Sequence, residues 1–358
     1  MDHNATSPLC DSAWEAMSPW LRGPANASSV HTEGRAARNA VENAREQLAQ
    51  AVGARRPKEL LFTSGATEAN NLVLAGGGHL VTTAAEHPSV LEPARAAGAT
   101  IVGVDGEGRV NMGALKEALA LKPRICSVLW ANNETGVLQD LPAIAALCRE
   151  AGVLCHMDAC QALGRIPIDV MALGVDAATF SAHKVQGPVG VGALWVRTGV
   201  PVQPLVRGGH QERGRRPGTE SVAAIVGFGA AAANVPERLE MQPGVAALRD
   251  ALWAGLDARG GVHCHGMGAP RLSNTLNVGF EGVDGHLLLM GLDLAGVSVS
   301  AGSACTVGSL EPSHVLLAMG LSESAARSAL RFSLGSEHRE RDVEQVLGVL
   351  DECLRRAA

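Results

Sequence analysis

Between residues 59 and 196 the sequence alternates short apolar runs with helical patterns, and this alternation restricts the possible folds more than any other feature. The segments between the runs place apolar residues at helical spacing. Continuous apolar strands separated by helices indicate βαβ units and an α/β protein whose mostly parallel sheet is covered on both faces. The predicted strands are Leu60–Thr63, Leu80–Ala84, Thr100–Val104, Ile125–Trp130, Val153–Met157, Ala177–Ser181 and Val191–Val196.

The organisation changes near residue 200. The segment Arg207–Thr219 is polar, rich in glycine and too long for an ordinary connection, so we expect a functional loop or an interface there. The later pattern indicates a smaller α+β domain, and we predict a large domain over residues 15–235 and a small domain made by residues 1–14 and 236–358. The elements predicted after the loop are helices at about 221–234 and 243–258, strands Leu272–Phe280, Val297–Ser300 and Leu330–Leu334, and a final helix Glu340–Arg355.

Composition excludes several classes of function. A net charge of −6 and the lack of a basic run argue against nucleic acid as the main partner. No uncharged stretch reaches the ~18 apolar residues of a membrane span, and we expect no signal peptide because the first residues lack a charged and apolar leader. The eight cysteines include no Cys-x-x-Cys pair, which favours reduced thiols in a cytoplasmic protein.

Lys184 follows the predicted strand Ala177–Ser181 in the sequence Ser-Ala-His-Lys, and a Gly-Pro pair then breaks the chain. Burial at the end of a strand favours the neutral, nucleophilic form of a lysine amine. Such an amine suits a Schiff base with pyridoxal phosphate, for which Ser181 and His183 could bind the phosphate. For this short motif alone, a surface lysine beside a turn is the alternative.

Two further motifs follow predicted strands. Gly65 opens a helix after the first strand, where the first helical N–H groups and the Thr67 hydroxyl could hold a phosphate; a plain capped turn is the alternative. His87 ends the next strand in the sequence Ala85-Glu-His-Pro88, where its ring could lie on a flat cofactor or carry protons. A structural histidine is the alternative there.

Asp158 ends another buried strand, and a buried carboxylate needs a cation or a hydrogen-bond donor nearby. A pyridinium nitrogen is such a partner, with Gln161 close to the same ring, although Asp158 could instead cap the next helix.

Cys305 lies in a loop of small residues that suits a mobile nucleophile, and a buried inert cysteine is the alternative. Arg331 lies within a predicted strand, where its guanidinium can clamp a carboxylate.

Taken in order, these blocks resemble the cysteine desulfurases of the NifS/IscS type, which are pyridoxal-phosphate enzymes with the class V aminotransferase fold. The resemblance runs nearly from end to end and implies fold type I, with a seven-stranded sheet in the large domain. The matching motifs are Asn4-Ala-Thr6, Ser28-Ser-Val-His31, Thr63-Ser-Gly-Ala-Thr-Glu-Ala-Asn-Asn71, Glu86-His87, Asn132-Asn-Glu134, Asp158-Ala-Cys-Gln161, Ser181-Ala-His-Lys184, Arg216-Pro-Gly-Thr219, Gly302-Ser-Ala-Cys305, Glu311-Pro-Ser-His-Val315 and Arg331-Phe-Ser333.

The resemblance also implies a role for each site residue. Lys184 would form the internal aldimine with pyridoxal 5'-phosphate, and His87 would stack on the ring and help to move protons. Asp158 would pair with the pyridine nitrogen and Gln161 with the phenolic oxygen. The expected phosphate ligands are Ala66, Thr67, Ser181 and His183, together with Thr219 from the other subunit of a homodimer.

By the same resemblance, Asn133 and Arg331 would position the substrate L-cysteine, and Cys305 would take its sulfur as a persulfide. The implied activity is conversion of L-cysteine to L-alanine, which supplies sulfur for iron–sulfur clusters or other cofactors through an acceptor or scaffold protein. Three alternatives stay open at this stage: a selenocysteine lyase, a class V aminotransferase, and a non-catalytic protein of the same fold that binds a scaffold.

Overall fold

Seven short strands form the larger of two sheets, and six of them point the same way. Only β7 is antiparallel, and it lies between β1 and β6. The predicted mostly parallel seven-stranded sheet is therefore confirmed. In the order β1-β7-β6-β5-β4-β2-β3, the strands of the sheet are β1 (Leu60–Thr63), β2 (Leu80–Thr83), β3 (Thr100–Val102), β4 (Ile125–Leu129), β5 (Leu154–Asp158), β6 (Ala177–Ser181) and β7 (Gly192–Val196).

The structure, a computed structural model, describes residues 1–302 and 311–357. Every strand predicted before residue 200 is present, and the two predicted as Leu60–Thr63 and Ala177–Ser181 have both ends correct. All residues of β4, β6 and β7 are buried. This burial on both faces explains why these strands read as unbroken apolar runs rather than as alternating patterns.

Helices cover both faces of this sheet, and local signals set their ends. In α6 the Asp140 side chain accepts a hydrogen bond from the N–H of Ala143 (3.3 Å), and Gly152 ends the helix at φ 72°. Within the described residues, no helix is both long and apolar enough to cross a membrane. The helices up to residue 233 are α1 (Asp11–Met17), α2 (Thr32–Ala51), α3 (Ala66–Leu74), α4 (Pro88–Ala96), α5 (Met112–Ala120), α6 (Leu141–Ala151) and α7 (Val222–Ala233).

A second, antiparallel sheet follows, in the order β10-β9-β8, and has an apolar core of its own. Its strands are β8 (Val262–Cys264), β9 (Thr275–Phe280) and β10 (Ala329–Ser333), and the helices of this region are α8 (Val235–Asp257), α9 (Gly285–Leu294), α10 (His314–Ala318), α11 (Glu323–Arg327) and α12 (Glu340–Ala357). Packing of α12 and α8 against the sheet buries Phe280, Phe332 and Leu350. The proposed domain boundaries near residues 15 and 235 stay a prediction.

Two details of the sequence prediction for this second region were wrong. The segment Val297–Ser300 is not a strand, because only Ser300 pairs there, in a single bridge with Arg331. Helix α8 begins at Val235 rather than near residue 243 and carries Pro243 in its interior. The half-exposed strand β8 was not predicted, because three residues carry too little alternation to be recognised.

The N-terminal segment, residues 2–7, connects the two sheets. At one end, His3 N donates to the carbonyl of Ser333 in β10 (3.1 Å). At the other end, Ser7 N donates to the carbonyl of His183, just beyond β6 (2.9 Å). Residues from the start of the chain therefore lie between the ends of strands from both sheets.

A buried ion pair fastens the Arg207–Thr219 loop to the large sheet. Arg45 of α2 donates to both carboxylate oxygens of Glu212 (2.8 and 2.9 Å), and the side chains are only 3% and 1% exposed. The guanidinium also donates to the carbonyl of Leu60 and lies 4.8 Å from the ring centre of Phe62. This anchor holds Glu212 in the left-handed region at φ 47°, a conformation that a residue other than glycine seldom adopts.

We expect Glu212→Ala to lower the free energy of unfolding by about 3–5 kcal/mol, because it leaves the Arg45 guanidinium buried without its main partner. Urea denaturation followed by circular dichroism measures this change. Glu42→Ala is the matched control: Glu42 also contacts Arg45 but is 47% exposed, so its loss should cost at most about 1 kcal/mol. Equal effects of the two substitutions would contradict the assignment of Glu212 as the anchor.

Candidate active site

A cavity of about 550 Å³ opens where the carboxyl ends of β1, β2, β4, β5 and β6 meet. Open α/β sheets bind ligands at this edge because the loops after parallel strands converge there. The N-terminal segment and β10 close the cavity from the side of the second sheet. Of the residues predicted for the site, the cavity brings together Ala66, Thr67, His87, Asn133, Asp158, Gln161, Ser181, His183, Lys184 and Arg331.

The start of α3 offers backbone donors to the cavity. The helix begins after Gly65, and no side chain of the described residues caps it. The first N–H groups of an uncapped helix bind anions readily. Strand β7 touches this turn so closely that a Cβ at Gly192 would lie 2.6 Å from the carbonyl carbon of Gly65. Gly192 is a site residue that the sequence prediction missed; its signal is a glycine opening a buried strand.

Lys184 ends a short 3-10 turn, Ala182–Lys184, that directly follows β6. Its Nζ donates to the backbone carbonyl of Asn4 and to that of Ala5 (2.6 Å). The chain has four lysines, all in the described part, and Lys184 alone lines the cavity. The other three, Lys58, Lys116 and Lys122, are exposed.

Asp158, at the end of β5, is 2% exposed and carries two hydrogen bonds from neutral donors. Asn70 Nδ2 donates to Oδ2 (2.8 Å), and Cys160 N donates to Oδ1 (3.0 Å). The second bond closes the turn after the strand, and no described helix begins there, so the alternative role of Asp158 as a helix cap is not realised. Since both donors are uncharged, neither cancels the carboxylate charge, which suits a cationic ligand in the cavity.

His87 caps α4 with its own ring. The N–H of Ser89 donates to His87 Nδ1 (3.1 Å), and Ser89 Oγ lies 2.8 Å from the same nitrogen. Asn70 Nδ2 donates to Ser89 Oγ (2.8 Å), so a hydrogen-bonded chain runs from Asp158 through Asn70 and Ser89 to the imidazole. Because Nδ1 accepts a backbone N–H, the proton of the neutral ring lies on Nε2.

Burial is the main reason why the neutral form of His87 is favoured. Burial lowers the pKa of the imidazole; the Asp158 carboxylate raises it, and the charges of Lys184 and His314 lower it further. The neighbouring Glu86 is fully buried, and burial raises the pKa of its carboxyl to about 8. The Glu86 side chain is therefore mostly uncharged near pH 7, so Asp158 is the main anion close to the ring.

Asn4 fills the gap between the two sheets with its side chain and backbone. Its Nδ2 donates to the carbonyl of Asn133 (3.0 Å) and to Thr275 Oγ1 (2.9 Å). Its carbonyl accepts from Lys184 Nζ and from Gln161 Nε2 (3.0 Å). The Gln161 amide predicted to bind a ring oxygen therefore lies in the cavity wall and donates to Asn4.

Arg331 reaches the cavity from β10 and is 1% exposed. One terminal nitrogen donates to the carbonyl of Asn133 (3.1 Å), and the other donates to Asp2 Oδ1 (2.6 Å) and Ser300 Oγ (2.9 Å). Its Nε is buried and makes no hydrogen bond within the described residues. Because Arg331 lines the cavity, its guanidinium can bind a carboxylate there.

Thr219 is the predicted site residue that the structure describes away from this cavity. Thr219 is exposed and lies outside the lining of its own chain, although Arg216, three residues earlier, forms an ion pair with Glu68 of α3 (2.9 Å). Cys305 lies outside the described residues. The loop that carries Thr219 thus touches the helix whose first turn lines the cavity.

Sequence reasoning assigned no role to Asn4, Asn70 or Ser89. Asn70 follows Ala66 by one helical turn, a spacing that places both on the same face of α3. A polar residue on an otherwise buried helix face is the available signal for Asn70, and the position two residues after a capping histidine is the signal for Ser89. Asn4 gave no local signal, because its partners are far away in the sequence.

Comparisons with known proteins agree with this geometry. The family model described as Aminotransferase class-V matches residues 1–346. A cysteine desulfurase of Gluconacetobacter diazotrophicus is 43% identical and is matched over 98% of this chain and 92% of its own. Among solved structures, the NifS-like protein from Rickettsia africae ESF-5 has a TM-score of 0.93 at 34% identity, covering 99% of this chain and 98% of that chain. The structure described as SspA in complex with cysteine has a TM-score of 0.81 at 32% identity, covering 94% and 98%.

We expect Asp158→Asn to lower the pKa of His87 in the cofactor-free protein, because the carboxylate stabilises the imidazolium. Lys184→Met should raise the pKa of His87, because it removes a repelling charge. NMR titration of protein labelled with ¹⁵N-histidine measures both changes, and in the neutral ring it should show the proton on Nε2.

His183 provides the control within the same spectra. Burial and the charge of Lys184 lower its pKa to about 4, and Asp158 has no part in that shift. Lys184→Met should therefore move both histidines upward, whereas Asp158→Asn should move only His87. A shift of His183 as large as that of His87 in Asp158→Asn would contradict this arrangement of charges.

Proposed function

This chain belongs to the aminotransferase class-V family, and from this premise we propose that it is a pyridoxal-phosphate-dependent cysteine desulfurase. The enzyme converts L-cysteine to L-alanine and takes the sulfur as a persulfide. Relatives that carry the name cysteine desulfurase align over nearly the whole chain at 40–43% identity. The solved structure of SspA with cysteine supports the choice of substrate.

One observation carries the proposal: Lys184, alone among the four lysines, lies in a cavity between a buried carboxylate and an uncapped helix start. These three groups match the three polar ends of pyridoxal phosphate. The amine suits its aldehyde, the Asp158 carboxylate suits its ring nitrogen, and the first turn of α3 suits its phosphate. The fit rests on groups at or just after the ends of three different strands, β1, β5 and β6, rather than on one motif.

We assign the cofactor contacts accordingly. Lys184 would hold the cofactor covalently through Nζ, and Asp158 would keep the ring nitrogen protonated. The backbone of Ala66 and the side chains of Thr67, Ser181 and His183 would bind the phosphate. Gln161 would serve the ring oxygen after its amide turns away from the carbonyl of Asn4.

When bound, pyridoxal phosphate supplies an electron sink that weakens bonds to the substrate carbon atoms. The residues of this chain bind the substrate and move its protons. Arg331 would bind the cysteine carboxylate with help from Asn133, and Asp2 then has to give up part of its contact with Arg331. His87, neutral and protonated on Nε2, would stack on the ring and donate that proton, while Lys184 Nζ would act as the base.

Sulfur transfer needs a nucleophile, and we assign this role to Cys305. The Cys305 thiolate would attack the sulfur of the bound cysteine, so that a sulfur–sulfur bond forms as the carbon–sulfur bond breaks. The electron pair of the broken bond remains with the carbon, which takes up a proton and becomes the methyl group of alanine. The persulfide then carries the sulfur to an acceptor.

The assembly and pathway are also part of the proposal. We propose a homodimer in which Thr219 completes the phosphate site of the partner subunit, because the loop that carries it is fastened at Glu212 and leaves Thr219 exposed. A monomer with full activity in sedimentation and kinetic measurements would contradict this.

We propose an iron–sulfur scaffold or another thiol protein as the sulfur acceptor. The seven described cysteines are free thiols, which supports a cytoplasmic enzyme.

Lys184→Ala tests the cofactor assignment. Borohydride reduction of the yellow wild-type protein should attach the cofactor to the peptide that contains Lys184, as read by mass spectrometry. Lys184→Ala should show no reducible linkage and should lose about 10³-fold or more in the rate of alanine formation. Lys58→Ala, which changes an exposed lysine, is the control and should leave both readouts unchanged. Reductive labelling of another lysine in the wild type would refute the assignment.

Cys305→Ser separates the desulfurase from the other activities of this fold. The variant should keep the bound cofactor and its spectral response to cysteine, because those steps belong to Lys184 and the cavity. Persulfide should disappear from the mass spectrum, and alanine formation should fall about 10³-fold or more. Cys264→Ser, at a half-buried cysteine of β8, is the matched control. An unchanged yield of alanine in Cys305→Ser would mean that the sulfur leaves without this thiol.

A further inference from the structure

Two imidazoles and a carboxylate meet outside the cavity, where the two ends of the chain come together. They belong to His3, Glu337 and His338, and one ligand atom of each side chain lies within 4.8 Å of the other two. His3 Nε2 contacts a carboxylate oxygen of Glu337, and His338 Nδ1 lies 3.9 Å from the same oxygen. Among residues 1–302 and 311–357, no other three histidine, cysteine or acidic side chains approach one another this closely.

The state of His3 is a second, independent observation. The residue is only 9% exposed, and both of its ring nitrogens are buried without a hydrogen-bond partner in the described part of the chain. Its contact with Glu337 lacks hydrogen-bond geometry. A buried imidazole is normally satisfied by a donor, an acceptor or a metal ion. His3 therefore points to a ligand that can use its ring nitrogen.

We propose that His3, Glu337 and His338 bind a divalent transition-metal ion of the zinc type. Two imidazoles with one carboxylate are a ligand set that Zn²⁺ takes in proteins, with solvent completing the coordination. The residues are not part of the cofactor site, and the proposal does not depend on the proposed activity.

The backbone beside the ligands shapes the proposed site. Gly335 contacts His338 Nδ1, the ring atom that lies 3.9 Å from Glu337: its N–H donates to that nitrogen (2.9 Å), and its carbonyl lies at 3.2 Å. An ion bound through Nδ1 would take the place of the N–H contact. A side chain at position 335 would overlap both His3 and Glu337, so glycine is what allows these two ligands to close on each other.

Nearby charges limit the expected affinity. The N-terminal ammonium of Met1 and the guanidinium of Arg238 both lie close enough to Glu337 to feel its charge. These cations repel a second positive ion, whereas the carboxylate of Glu337 attracts it. Because the site has only three protein ligands and two cations nearby repel the ion, we expect zinc to bind more weakly than it does at closed four-ligand structural sites.

An ion at this place would fasten residue 3 to residues 337 and 338. His3 N already donates to Ser333 of β10, and the next residue, Asn4, carries the carbonyl that accepts from Lys184. The ion would therefore stabilise the N-terminal segment that forms one wall of the cavity. We assign it a structural role, because none of its three ligands lines that cavity.

Zinc titration of the full-length, cofactor-loaded protein tests the site. Metal is first removed with a chelator, and the chelator is then removed by gel filtration. Wild type should retain one zinc per chain by elemental analysis, and its melting temperature should rise by about 3 °C at a hundredfold excess over the dissociation constant. Failure of the wild type to bind zinc would overturn the proposal.

Two variants and one matched control locate the ion. His338→Ala and the nearly isosteric Glu337→Gln should each weaken zinc binding at least about tenfold. His263→Ala is the control: His263 also contacts a carboxylate, that of Glu281, but both are exposed, and residues 1–302 and 311–357 place no third ligand near them. Circular dichroism and cofactor absorbance verify that each variant is folded. If His338→Ala fails to fold, Glu337→Gln alone tests the site. Equal affinity in wild type, His338→Ala and Glu337→Gln would refute the site.

Cobalt substitution separates this site from the cysteine thiols. Co²⁺ bound by nitrogen and oxygen gives only weak visible bands, whereas thiolate ligation adds an intense sulfur-to-metal band. We expect only weak bands in difference spectra of the wild type, and no such bands with His338→Ala. An intense band that disappears in Cys305→Ser would place the ion on that thiol and overturn the proposal.

Discussion

The hydrogen bonds of Asn4 are the constraint on which the arrangement of the two sheets depends. The residue is 1% exposed and makes hydrogen bonds to both sheets. It bonds to Thr275 in the small sheet, and to Asn133 and Lys184, which lie beyond the strand ends of the large sheet. A buried amide that lost these partners would cost about 1–3 kcal/mol for each unsatisfied group. A fully satisfied buried network rigidifies the region around it, so the cleft between the sheets has one preferred geometry.

Long-range bonds of this kind also mark the limit of prediction from sequence. The strands of the large sheet were found because their burial on both faces produces unbroken apolar runs, and the ends of those strands then pointed to Lys184, His87 and Asp158. Asn4 pairs with a residue 271 positions away, and no local pattern encodes that contact. Ser89 and Asn70 were missed because their roles depend on how α3 and α4 pack beside β5. The wrong strand at Val297–Ser300 has the same origin, since the alternating tetrapeptide Val-Ser-Val-Ser resembles a strand whether or not it finds a partner.

The electrostatics of the cavity explain why it suits an anionic cofactor and substrate. Arg331 and Lys184 contribute two positive charges, and the Lys184 amine donates to the neutral carbonyls of Asn4 and Ala5. Burial raises the pKa of Glu86 to about 8, so this acid adds little negative charge near pH 7. Asp158 therefore acts as a local anion within a cavity that otherwise attracts anions. This contrast suits the proposed cofactor and substrate, whose phosphate, carboxylate and cationic ring nitrogen need opposite charges at separate places.

The N-terminal segment, which forms one wall of the cavity, makes contacts on both of its sides. Three consecutive residues accept hydrogen bonds from three different cations: Asp2 from Arg331, His3 from Arg165 through its carbonyl, and Asn4 from Lys184. The ring of His3 faces the opposite way, towards Glu337 and His338. A shift of this segment would change the acceptor of Lys184 and the counterion of Arg331 together, because Asn4 and Asp2 flank His3, whose N–H is bonded to Ser333. The contacts of the His3 ring, including the proposed ion, would therefore act on Lys184 and Arg331 through backbone position rather than through charge alone.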